Sequence, residues 1–243
     1  MQHQLMRESM SRTQILTLFS GSVIALVAFA LPMQILGMSF MFTVHMAQHL
    51  LLSLAVPPLL LLSIPKAALQ QWFQIHPGIE RGIRMLTRPW VASVLFNGNL
   101  WLWHAPPVLA VMMDQTGVHL CADLLYLLTG LLFWWPLLSP IQSQTLSLGG
   151  KLAYLFFSDM PMMLLGAGMT FSGPLYTFAM GDPRRLMVVS AQDQQWGGLL
   201  MWVVGGLFFY LIVASIFFLQ WMLRQEQVQR AEEANLYEEE EDR

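Results

Sequence analysis

Apolar residues in this chain gather into long, nearly unbroken runs instead of alternating or marking one face of a helix. Six runs are readable, at 15–36, 40–64, 90–109, 118–138, 152–171 and 196–221. Each is close to the roughly 20 residues that a helix needs to cross a bilayer. The pattern therefore predicts an all-α membrane protein. Residues 1–223 form a bundle of about six transmembrane helices, and 224–243 form an acidic cytoplasmic tail. The third run is the least regular, because Asn97 and Asn99 interrupt it and Pro106-Pro107 ends it. Proline removes a helical donor and restricts the residue before it. Between the second and third runs, Ala67 to Leu86 mixes Trp72, Phe73 and Ile79 with Arg81 and Arg84, which suits a segment lying along the inner membrane interface.

Composition agrees: 56% hydrophobic residues and 11% charged, with a mean hydropathy of +0.53, exclude a soluble domain. The net charge of -3 comes largely from the Glu-rich stretch after Arg230. That stretch reads as a solvated, disordered end, and nothing suggests nucleic-acid binding. One cysteine, Cys121, excludes an internal disulfide and any Cys-x-x-Cys motif. Basic residues set the orientation, since they favour the cytoplasmic side in short loops. Arg7, Arg12, Lys66, Arg81, Arg84, Arg88, Lys151, Arg224, Arg230 and Arg243 belong to one side, and only Arg184 and Arg185 to the other. Six spans with both termini in the cytoplasm satisfy this distribution and put the loops around Gly37, Gln115 and Pro183 outside.

Orientation in turn sorts the polar residues within the runs. His45, His49, His104 and His119 all fall toward the outer side, whereas His3 and His76 lie on the inner side and join no cluster. Intramembrane ionisable residues are costly and usually functional. Met38, Met41, His45 and His49 are spaced three and four apart, so they form one stripe down the second span. Asn97, Trp101 and His104 share a face of the third, and Asp159, Met162, Met163 and Gly166 a face of the fifth. About a dozen of the 18 methionines belong to the outer loops or outer halves, among them Met46, Met112, Met113 and Met169. Thioethers with imidazoles suit copper(I) better than zinc, magnesium or iron. Each signal also has a plainer reading. A His pair can hydrogen-bond neighbouring helices, Met stripes can be packing, Asp193 can cap the sixth span, and Gly197, Gly198, Gly205 and Gly206 can permit close helix packing.

The motifs resemble a known family. His-Met-Ala-Gln-His and the apolar residues after it, from His45 to Leu60, match in order with Trp-His-Ala-Pro-Pro from Trp103 to Pro107. Leu131 to Leu137, Ser172 to Tyr176, and Asp193 to Trp202 continue the match. Over about 160 residues the chain resembles the CtaG-type cytochrome c oxidase assembly factors, multi-span membrane proteins. The resemblance implies a non-enzymatic role in maturing a haem-copper oxidase at the outer face of a bacterial inner membrane, with oxidase subunits or other copper chaperones as partners. It maps the family's histidines onto His45, His49, His104 and His119, and its acidic-glutamine motif onto Asp193, Gln194 and Gln195. Where another His or acidic residue is expected soon after the span-four histidine, this chain has Cys121 and Asp123.

Together these readings give a copper(I) site reached through Met38 and Met41. The ion rests between His45, His49 and one or more of His104, His119 and Cys121. Asp159, Asp193, Gln194, Gln195 and Asp123 act behind the ligands by fixing imidazole tautomers. Two other classes stay open. Paired histidines also hold haem in membrane bundles, although no histidine lies in the inner half of any span. A copper permease would need polar or sulfur residues through the whole membrane thickness.

Overall fold

The computed structural model describes residues 10–30, 42–141, 145–179 and 186–241. Met38 and Met41 lie outside the described residues, as do the loops around Gly37 and Pro183. Nine helices and one small hairpin are described: α1 (Arg12–Phe29), α2 (Phe42–Ser63), α3 (Lys66–Ile75), α4 (Pro77–Leu86), α5 (Pro89–His104), α6 (Pro106–Asp114), α7 (Thr116–Leu138) and α8 (Leu148–Phe171) come first. Strands β1 (Thr177–Ala179) and β2 (Leu186–Val188) then pair antiparallel, with Phe178 opposite Met187. The chain closes in α9, composed of Ala191–Leu199, a π-helical Leu200–Phe208 and Phe209–Glu241.

Five helices, α1, α2, α7, α8 and α9, are long and apolar enough to cross a membrane. The third expected span is divided. Helix α5 stops at His104 and α6 starts at Pro106, because a proline pair opens a helix readily but cannot continue one. Its 16 residues reach about 24 Å at 1.5 Å per residue. Outward faces carry large apolar side chains such as Phe19, Leu26, Trp90, Phe157 and Leu164, as lipid contact requires. The interface segment forms two short helices, α3 and α4. The tail departs from the sequence expectation of disorder, since α9 runs on as helix to Glu241. It extends an existing helix, so no nucleation is needed, and Arg230 pairs with Glu226 one turn away.

The bundle centres on the crossing of α2 and α7. Ser53 is followed at four and five residues by Pro57 and Pro58, neither of which has an N–H to offer its carbonyl. The backbone widens into a π-helical turn over Leu51–Ala55, and Trp134 Nε1 donates to Ser53 O at 3.2 Å. Opposite this turn stands Gly130, where a Cβ would meet Ser53 O and Pro57 Cγ at 2.8 Å. A second close crossing joins α8 to α9, where Gly166 and Gly198 each face the other's backbone and Gly198 faces Thr170 Oγ1. Asn97 on α5 donates to Ser158 O on α8 at 2.9 Å, tying the short α5 into the bundle.

Gly130→Ala is expected to lower stability by about 1–3 kcal/mol through overpacking. Gly168→Ala, where a Cβ meets nothing within 4 Å, is expected to be neutral or slightly stabilising. Thermal unfolding of the two purified variants in detergent checks the contrast.

Candidate metal centre

Helix α2 places His45 and His49 one turn apart on its inward face. Helix α7 presents His119, Asp123, Tyr126 and Gly130 on the face that crosses α2. Spacings of four, three and four make these residues a single stripe. The two stripes meet completely out of solvent, with His45 and Asp123 at 0% exposure and His119 at 1%.

Asp123 organises the cluster. Gln48 Nε2 donates to its Oδ2 at 3.0 Å, His119 Nδ1 lies 3.5 Å from Oδ2, and His49 Nε2 lies 3.5 Å from Oδ1. With its Nδ1 facing the carboxylate, His119 turns Nε2 to His45 Nδ1 at 3.1 Å. That separation suits a shared proton. It is also close to the roughly 3.3 Å between two nitrogens bound to one ion at about 2.0 Å. His45, His49 and His119 each offer one nitrogen, all within 4.8 Å of one another. His45 Nε2 and both nitrogens of His49 are buried with no hydrogen-bond partner among the described residues. Buried polar atoms are seldom left this way, and nitrogens so placed are able to serve as ligands to a metal ion.

His104 stands beside this triad. Its ring lies 6.4 Å from that of His49, and Tyr126 stacks between the helices at 4.1 Å from His49. At the same end of the bundle, Tyr176 directs its hydroxyl to His104 O at 3.1 Å and Met169 Sδ at 3.3 Å. Burial pushes that hydroxyl's pKa up to about 12, so it remains a donor at any ordinary pH.

The remaining expected site residues are placed elsewhere. Cys121 is exposed; two residues beyond His119, it projects about 200° around the helix and so faces away from the cluster. Asp193 caps a helix, but not its own. Its carboxylate accepts from the backbone N–H groups of Phe42 and Thr43 and from Thr43 Oγ1, which satisfies donors that the start of α2 leaves open. Ser190 supplies the cap for α9. Gln194 is buried and laces the 169–175 turn, accepting from Leu175 N at 2.7 Å and donating to Met169 O at 3.0 Å. Gln195 is exposed. Asp159 lies lower in the bundle, against Gly206 and beside a cavity of about 20 Å³ shared with Leu54, Phe133, Gly205 and Tyr210.

Gln48, Tyr126 and Met201 did not stand out in the sequence. Gln48 follows His45 by three and Tyr126 follows Asp123 by three, so helical spacing carried the signal for both. Met201 lies in a run with no other polar mark.

Asp193→Ala is expected to destabilise the protein by about 1–2 kcal/mol, the usual scale for a lost N-terminal cap, and Gln195→Ala to change nothing measurable. Thermal midpoints of both variants decide this.

The sequence matches the family described as cytochrome c oxidase caa3 assembly factor (Caa3_CtaG) over residues 2–224. No curated protein and no solved structure matches it.

Proposed function

The chain belongs to the family of cytochrome c oxidase caa3 assembly factors, and on that footing we propose that it holds copper(I) between His45, His49 and His119 for insertion into a haem-copper oxidase. Its role is assembly rather than catalysis, and it is a multi-span membrane protein. The observation that carries the metal reading is the buried triad with its unpartnered nitrogens.

Charge favours a monovalent ion. The cluster brings neutral imidazoles and one carboxylate, so copper(I) leaves the buried site neutral, whereas a divalent ion leaves an excess positive charge in a medium that penalises it. Donor softness points the same way, since imidazoles here have methionines as neighbours. Asp123 and Gln48 are the orienting groups: the carboxylate sets which nitrogen of His119 faces the triad. Asp193 and Gln194 hold the helix start and the turn above it, so they act through the scaffold.

For the setting, we propose six spans with both termini cytoplasmic, the segment Pro89–His104 being the third of them, in a bacterial inner membrane. The histidine end then faces outward, toward oxidase subunits and partner copper chaperones. A haem reading finds less support, because the rings of His45 and His49 lie 4.1 Å apart and those of His45 and His119 5.0 Å apart. Such spacing admits an ion but leaves no slot for a macrocycle.

Copper(I) titration of the purified protein under reducing conditions tests the proposal. Wild-type protein is expected to bind copper(I), and His45→Ala with His49→Ala to abolish binding at the triad. Asp123→Asn is expected to weaken it about 10–100-fold, while Cys121→Ser leaves it unchanged. Equal affinity in the double histidine variant would sink the proposal.

A further inference from the structure

Next to the triad lies a second group of donors with different chemistry. A small cavity of about 10 Å³ is lined by Met46, His49, His104, Tyr126, Met162 and Met201, with leucines and Ser53 completing the wall. The three methionines come from three different helices, α2, α8 and α9, and all are at most 2% exposed. A void of that size admits about one atom.

The hydrogen-bond geometry of His104 shows what the void is suited to. Its Nδ1 lies 2.7 Å from Leu100 O. A carbonyl can only accept, so Nδ1 carries the ring's proton and the neutral imidazole keeps a lone pair on Nε2. That lone pair faces Met46 Sδ at 3.3 Å. Thioether sulfur has no proton either, so two lone-pair donors face each other with nothing between them to share. Packing alone does not call for this arrangement, since a methionine with three rotatable bonds adapts readily to a gap. A cation with affinity for both atoms accounts for it.

We propose that Met46 and His104, with Met162 and Met201 as further thioether donors, form a second position for a soft monovalent cation beside the histidine triad. This inference rests on the copper(I) reading and extends it. The triad is a nitrogen site under a carboxylate, and the adjoining position is a sulfur-rich one with no acidic residue in its wall. His49 belongs to both, as a member of the triad and as part of the cavity wall. The protein thus offers a soft monovalent ion two neighbouring environments of different donor character, which suits a factor that must take up an ion and give it away.

The test uses full-length protein in detergent, silver(I) and copper(I) as probes, and X-ray absorption to identify the donor atoms. Two double variants separate the positions. Met46→Leu with Met201→Leu preserves side-chain volume and removes sulfur, whereas His45→Ala with His119→Ala disables the triad. The triad variant is expected to retain one ion with at least one sulfur neighbour. The methionine variant is expected to retain an ion bound by nitrogen and oxygen only. If the triad variant binds no ion, or binds one without sulfur, the second position is overturned while the triad reading stands on the methionine variant. If the methionine variant binds none and the triad variant keeps a sulfur-bound ion, the triad reading fails and the second position stands. Binding by wild type but by neither variant would mean a single fused site and would overturn the proposal.

Discussion

A carboxylate sealed inside an apolar bundle must have its charge met by neighbouring groups, and Asp123 imposes that requirement on this protein. It is fully buried at the crossing of α2 and α7, and its neighbours are an amide and two imidazoles. Burial of this kind is tolerated only when hydrogen bonds and charge are arranged around it. The arrangement turns Nδ1 of His119 toward the carboxylate and its Nε2 toward His45, and one nitrogen each of His45, His49 and His119 gathers within 4.8 Å of the others. The capacity of these imidazoles to hold an ion goes with the way they gather around the carboxylate.

Close backbone approach makes that arrangement possible. The α2 and α7 stripes touch because Gly130 lets the helices meet at the π-helical turn, and the turn exists because Pro57 and Pro58 deprive Ser53 O of its helical donors. Trp134 repairs the loss from the neighbouring helix. The same logic recurs at Gly166 and Gly198, which bring α8 and α9 together and so place Met162 and Met201 beside the histidines. At the top of α2, Asp193 supplies from α9 the acceptor that the helix start lacks. Packing defects in one helix are thus corrected by polar groups of another, and the functional cluster sits where those corrections converge.

Much of this was legible in the sequence for definite reasons. Uninterrupted apolar runs marked the long helices, and a histidine pair four residues apart marked the inward face of α2. Pro106-Pro107 marked the end of α5. The placement of Cys121 and Asp123 was also within reach, since only the residue four beyond His119 shares its face. Other features were hidden. Whether Asp193 capped its own helix or another depended on a contact spanning 150 residues. Met201 carried no local sign of its role, because a methionine in an apolar run looks like packing until its neighbours are known. The short hairpin at 177–179 and 186–188 was too brief for alternation to reveal it, and the helical tail was concealed by a composition that favours disorder in an isolated segment.

The central claim is that one ion is held among His45, His49 and His119 beneath Asp123. Crystals of the copper(I)-loaded protein, measured for anomalous scattering on either side of the copper absorption edge, locate the ion directly. The account predicts an anomalous peak within bonding distance of the three imidazoles. A loaded protein whose copper lies away from all three, or no peak at that position at full loading, would contradict it.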